Sequence, residues 1–354
     1  MARHERSTGT PRAGRPATPR VSIARMSLSG RSVLVTGAGG FIGGHLVAQL
    51  VRDGATVRAL ARYNSRNERG TLDWLEPEIV AETEVVLGDL RDVESVAAVA
   101  DGAEIVLHLG AQIAIPYSYV NPRDFFETNV LGTMNVAQAA LRAGAERVVH
   151  TSTSEVYGSA QTVPITEQHP LEPQSPYAAS KLAADKLMDA WHRSYELPVT
   201  VLRPFNTFGP FQSARAITPT IVSQALAGGP VRLGSLHPRR DLTFVADTVA
   251  GFIAAAQASA AIGRTVQLGT GYDVSIGDLV ELIGDIIGRE LVVETDEARV
   301  RPAKSEVQRL ISDPALAKEL MGWEPAVDLR EGLTRTIEWI ERNQARFRTD
   351  QYVI

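Results

Sequence analysis

Cysteine is absent from this 354-residue chain, which excludes disulfides and thiol chemistry. Nor is there an apolar run near the roughly 18 residues that a membrane-spanning helix needs, so no membrane partner is expected. The seven histidines fall at no tight metal-ligand spacing, and no metal site is expected. No internal repeat or low-complexity linker divides the chain. What is present, 44% hydrophobic and 22% charged residues, suffices for a large core in one big domain or two fused ones.

Residues 1–26 stand apart, with six arginines against one acid, many Ser, Thr, Pro and Gly, and no hydrophobic periodicity. They read as a disordered tail. They lack the apolar segment of a secretory signal, although an Arg-rich, acid-poor start has a superficial likeness to a transit peptide. Met26 reads as the functional start, and the protein is expected in the cytoplasm. The tail holds +5 of a chain whose net charge is -5, leaving a body near -10. That balance argues against nucleic acid as a partner.

The stretch Val33-Leu-Val-Thr-Gly-Ala-Gly-Gly-Phe-Ile-Gly43 reads as a buried strand, a glycine turn and a helix start in succession, the pattern of a dinucleotide phosphate cradle. Gly37 takes the tight turn, Gly40 lets a pyrophosphate approach the backbone, and Gly43 lets the helix pack on the sheet. The helix opened by Phe41 and Ile42 aims its unpaired N–H groups at the phosphates. A second strand, Thr56 to Leu60, ends at Ala61 and Arg62, where a carboxylate would bind the adenosine ribose of NAD+. Arg62, with Ser65 and Arg66 following, is what a 2′-phosphate asks for, so NAD+ and NADP+ both stay open. A third strand, Glu84 to Gly88, brings Asp89 and Leu90 to the adenine. A fourth, Glu104 to Leu109, ends in small residues, Ala111 among them, that allow close approach to the cofactor; His108 reads as a packed strand residue.

Pro122 to Ala143 is predicted as one long helix with an apolar stripe of Phe126, Val130, Met134, Ala137 and Leu141. Asn129 interrupts it, bonding backbone across to a strand or facing solvent. A fifth strand, Arg147 to Thr151, completes an alternation that predicts an α/β fold: a Rossmann-like, doubly wound parallel sheet with its ligand at the strands' carboxyl ends. In Ser175-Pro-Tyr-Ala-Ala-Ser-Lys181, Tyr177 and Lys181 lie four apart on one helix face. The ammonium is expected to lower the tyrosine pKa toward that of a useful base and to be free to hold a nicotinamide ribose.

Thr36-Gly-Ala-Gly-Gly-Phe-Ile-Gly43, Gly88-Asp-Leu90, His108-Leu-Gly-Ala111, Asn129, Thr153-Ser-Glu155, the Tyr177 and Lys181 pair, Arg203-Pro-Phe-Asn-Thr-Phe-Gly-Pro210 and Arg240-Asp-Leu-Thr-Phe-Val-Ala-Asp247 together resemble the extended short-chain dehydrogenase/reductase family, in its nucleotide-sugar branch. The likeness spans about Ser32 to Arg342. Tyr63-Asn-Ser65, Ile113-Ala-Ile-Pro116, Ser152-Thr-Ser-Glu-Val-Tyr-Gly158 and Gln212-Ser-Ala-Arg-Ala216 look most like 4,6-dehydratases of nucleotide-linked N-acetylglucosamine of the legionaminic-acid type. GDP-mannose dehydratases and UDP-glucuronate decarboxylases share the Thr-Ser-Thr-Ser-Glu segment.

The resemblance implies a tightly bound NAD+ or NADP+ recycled within each turnover, and Thr153, Glu155, Tyr177 and Lys181 as catalytic residues. It implies cofactor contacts from Asn129, Tyr177 and Lys181 beside the cradle. Ser154, Asn206, Arg215, Arg240 and Arg301 would meet a nucleotide-diphosphate sugar, guanidinium being suited to the diphosphate. It implies a cofactor domain of residues 27–204 plus 241–262, a mainly substrate-binding lobe of 205–240 plus 263–345, and a homodimer through a four-helix bundle. Dehydration, probed by Glu155 as a base at C5, stands beside decarboxylation or 4-epimerisation of a UDP-glucuronate, and beside a non-catalytic cofactor-sensing protein.

Overall fold

The computed structural model describes residues 26–347. The tail reading concerns residues that lie, all but Met26, outside the described residues. Met26 itself donates its N–H to Gln257 O at 3.2 Å.

Seven parallel strands form the centre: β1 (Ser32–Thr36), β2 (Thr56–Arg62), β3 (Thr83–Gly88), β4 (Ile105–His108), β5 (Arg147–Thr151), β6 (Val199–Pro204) and β7 (Thr265–Leu268). Their order is β7-β6-β5-β4-β1-β2-β3. Val33, Leu34 and Val35 are all fully buried, and Ile105, Val106 and Leu107 likewise. Successive residues of a strand point to opposite faces, so both faces are covered by helices, and the strands read as continuous apolar runs for that reason. The chain winds one way from β1 to β3 and the other way from β4 to β7. The crevice left between β1 and β4 at the carboxyl ends is where such sheets take ligands.

Two expectations are corrected. Thr265–Leu268, assigned from the sequence to the substrate lobe, is the edge strand of the main sheet, paired in parallel with β6. A four-residue strand reached after some sixty residues of other structure has no local signal strong enough to reveal its neighbour. The long helix is also interrupted: α-helical Pro122–Phe126 passes through a π-helical turn, Glu127–Leu131, into α-helical Gly132–Ala143. Its buried face is Phe125, Asn129, Thr133, Val136 and Ala140, one residue earlier at each step than the predicted stripe. Of that stripe Ala137 is buried, Val130 and Met134 are half-buried, and Phe126 and Leu141 are exposed.

Small sheets lie beyond the carboxyl ends. Asn206–Phe208 pairs with Leu242–Phe244, and Arg239–Arg240 lies between Val274–Ser275 and Arg309–Leu310. Asp241, fully buried, accepts hydrogen bonds from the N–H and hydroxyl of both Thr270 and Ser312 and from the N–H of Gly271. Five donors neutralise the cost of burying that carboxylate and fix the strand that carries Arg240.

Candidate active site

A cleft of about 830 Å³ runs along the carboxyl ends of the sheet and under the small sheets. At its floor Gly37 has φ +69°, and a Cβ there would lie 2.6 Å from Gly110 N. A Cβ at Gly43 would lie 2.2 Å from Gly37 O, so the helix seats against the turn only with glycine there. Helix Phe41–Arg52 starts at Gly40 without a side-chain cap, and Gly37, Gly40, Phe41, Ile42 and Gly43 all line the cleft. Uncapped N–H groups over a backbone-walled hollow fit a pyrophosphate.

At the adenosine end, Ala61 is buried and Arg62 is exposed at the cleft wall with Asp89 and Leu90. Arg91 holds Asp89 through two of its nitrogens, at 2.6 and 3.0 Å, and keeps that carboxyl below its ordinary pKa. Arg66 is not part of the wall; it stands largely exposed, 3.6 Å from Glu68. Arg69, which sequence reasoning passed over, lines the cleft and donates to Asp73. Ala111 also lines the cleft.

Asn129 does not line the cleft. Its Oδ1 accepts the Gln112 N–H at 2.8 Å, and its Nδ2 donates to Gln112 O and to Ser180 Oγ. It therefore joins the end of β4 to the tyrosine helix, Pro176–Tyr195, and acts on the cofactor site by positioning the backbone. Ser154, also expected to touch substrate, is buried at 3% exposure and absent from the wall. The 3-10 turn Ser154–Tyr157, capped by Thr153 Oγ1 accepting the Glu155 N–H, presents Thr153 and Glu155 to the cleft and buries its other members.

Tyr177 lines the cleft, whereas Lys181, 3% exposed, does not. Burial pushes the Tyr177 phenol above its ordinary pKa, with Thr153 pulling it down by a hydrogen bond and the Glu155 and Asp185 carboxylates pushing it up. The expected lowering by the lysine is thus overturned: burial raises the phenol, and Lys181 is not among the groups that shift it. Burial in turn brings Lys181 down to about 8, against an upward pull from Asp185. His108 is the packed residue the sequence suggested, 1% exposed, sharing hydrogen bonds with Thr36 and Thr133.

On the substrate side Asn206, Arg215, Arg240 and Arg301 all line the cleft. Asn206 Oδ1 is buried without a hydrogen-bond partner. Glu306, missed from the sequence, lies 3.3 Å from Arg240 Nη2 and 3.6 Å from Arg301 Nη1, bringing both guanidiniums to one carboxylate. Asp185 was missed too, although its place four residues past Lys181 and eight past Tyr177 puts it on the same helix face.

Residues 34–336 match the family described as GDP-mannose 4,6 dehydratase. The chain belongs to the extended short-chain dehydrogenase/reductase family of NAD-dependent epimerases and dehydratases. Within it, the chain is 34% identical over 320 residues to a UDP-glucose 4-epimerase of Mycolicibacterium smegmatis, covering 88% of this chain and 99% of that protein. It is 30% identical over 332 residues to UDP-glucuronic acid decarboxylase 1 of Xenopus tropicalis, covering 91% and 75%. The solved dTDP-glucose 4,6-dehydratase DesIV of Streptomyces venezuelae, with NAD bound, superposes with a TM-score of 0.78 at 32% identity, covering 89% and 98%. Among the described residues of this family member no group of three or more His, Cys, Asp or Glu could hold a metal ion, and no helix is long and apolar enough to cross a membrane.

Proposed function

We propose that the protein is a nucleotide-sugar 4,6-dehydratase that works through a 4-keto intermediate with an internally recycled NAD+ or NADP+, on UDP-N-acetylglucosamine or a related nucleotide hexose. The observation that carries this reading is Glu155, a carboxylate in the cleft wall near enough to both Tyr177 and Arg240 to act on each electrostatically. The bound dinucleotide would accept hydride from C4 and return it to C6. Tyr177, with Thr153 hydrogen-bonded to it, takes the proton of the 4-hydroxyl. The ketone acidifies the C5 proton, which Glu155 removes, and the same carboxyl then protonates the departing 6-hydroxyl, while C5 takes a proton from solvent as C6 receives hydride and Tyr177 gives the 4-hydroxyl proton back to solvent. With Ser154 turned away from the cleft, Glu155 serves as base and acid in succession. Arg240, Arg301 and the Asn206 Nδ2 donor hold the sugar diphosphate, which takes over the guanidiniums from Glu306.

A 4-epimerase needs only rotation of the ketone and no base at C5, so Glu155 is what favours dehydration. Arg62 and the missing carboxylate at Ala61 support NADP+, and the cofactor of DesIV supports NAD+. The exposed Phe126, Leu131 and Leu141 of the segment from Pro122 to Ala143 support a homodimer through paired helices. Incubation with UDP-N-acetylglucosamine, UDP-glucose, UDP-glucuronate, dTDP-glucose and GDP-mannose, with products read by mass, tests the proposal. Loss of water from one of them is expected. Loss of carbon dioxide, or isomerisation without mass change, would replace dehydration by decarboxylation or epimerisation, and no reaction with any of them would overturn it.

A further inference from the structure

Beneath the catalytic wall lies a buried polar cluster that the mechanism above does not use. Asp185, 4% exposed, accepts hydrogen bonds at Oδ2 from Ser152 Oγ at 2.6 Å and from Arg203 Nη2 at 2.9 Å and Nε at 3.3 Å. Its Oδ1 makes no hydrogen bond of ordinary geometry; His150 Nε2, fully buried, stands 3.4 Å away. Arg203 is itself fixed, donating to Tyr157 OH at 3.1 Å with its guanidinium 5.1 Å from that ring's centre. The carboxylate is therefore rigid, keeps one oxygen uncommitted, and sits one helical turn beyond Lys181 on the same face.

We propose that Asp185 is the positioning residue of the tyrosine and lysine pair: its carboxylate, locked by Arg203 and Ser152, keeps Lys181 an ammonium ion in a site that excludes water. A buried lysine without such a counter-charge titrates far below its ordinary range, to about 5 to 6. His108 and His150 can offer no anion, and burial keeps both from adding positive charge. The remaining charges on elements packed against the tyrosine helix are committed elsewhere: Asp124 to Arg91 and Gln112, and Glu127 to Arg123. Tyr117 and Tyr119 on helix Ile115–Val120 bond Asn121 and Ser305, and Arg142, at the far end of its helix, is exposed. Glu155 faces the cleft. Asp185, although paired with Arg203 through Oδ2, keeps Oδ1 free and is the carboxylate that acts on Lys181.

The proposal rests on Lys181 serving the reaction assigned above, but its test does not need turnover. The chain has four lysines, 181, 186, 304 and 318. Carbon-13 lysine labelling of the whole protein therefore gives a side-chain titration in which Lys181 is assigned by its loss in Lys181→Arg. The wild-type midpoint is expected near 8, and Asp185→Asn should lower it by about 1 to 3 units, the usual effect of losing a nearby opposite charge. Asp185→Glu should restore most of the shift, and the alkaline limb of the pH profile for cofactor reduction should move with the midpoint. A midpoint unchanged in Asp185→Asn overturns the proposal. So does a wild-type midpoint below about 6, which decides the matter even if the Asn variant does not fold. Failure of every nucleotide sugar to react would overturn the reaction and leave the titration readable.

Discussion

Glu155 and Tyr177 divide the proposed chemistry, and single substitutions separate them. Glu155→Gln keeps volume and most hydrogen bonding while removing the C5 base and the proton for the departing 6-hydroxyl. Dehydration should fall by roughly 100-fold to 10,000-fold, the range for losing one acid-base group. Oxidation at C4 uses Tyr177 and should persist. The structure adds a sign: the Glu155 carboxylate pushes the Tyr177 phenol up, so removing its charge makes the phenol easier to ionise. Mixing the variant with substrate should then accumulate absorbance of the reduced nicotinamide, whereas Tyr177→Phe should show none. Dehydration by Glu155→Gln at the wild-type rate would remove Glu155 from the mechanism and with it the preference for dehydration.

At the scale of elements, the helix from Pro122 to Ala143 shows what periodicity conveys. Its spacing of four, four, three and four describes both a buried face and, one residue later, an apolar outer face, and periodicity alone does not say which packs on the sheet. Phe126, Leu131 and Leu141 stay exposed at 42%, 48% and 39%, beside half-buried Leu182, Leu187 and Trp191 of the tyrosine helix. The proposed homodimer would cover this stripe. Light scattering at micromolar concentration should give the dimer mass, and Leu131→Glu, at a side chain 48% exposed, should give the monomer with its fold intact. A monomeric wild type would contradict the bundle. The cradle and the Tyr177 and Lys181 pair were readable because each depends on a few consecutive residues. The bond from Asn129 to backbone across the fold was legible, whereas the inward turn of Ser154 was not, because the direction of a side chain depends on what the segment packs against. The sign of the Tyr177 shift was missed because burial is a property of the assembled fold.

At the scale of the whole molecule, the core carries its own pH limit. His108 and His150 sit on β4 and β5 at 1% and 0% exposure, with ring centres 5.4 Å apart, and burial lowers both pKa values, that of His150 to about 4. In the unfolded chain each takes a proton near 6.5. Between those limits the unfolded state binds more protons than the folded state, so stability is full above about pH 6.5 and falls as the pH drops toward 4. For His150 alone the loss amounts to about 3 kcal/mol by the lower limit. That is a sizeable part of the margin of about 5 to 15 kcal/mol that a folded domain holds. Asp185, whose carboxyl is pushed up by burial but held below its ordinary value by His150, Arg203 and Ser152 together, adds a further loss only where carboxylates protonate, at lower pH still. Urea unfolding followed between pH 7 and 5 should therefore show the midpoint falling steadily below 6.5, and His150→Gln should flatten part of that slope whatever it does to stability at pH 7. A midpoint independent of pH across this window would mean that the two imidazoles are not held neutral in the folded protein.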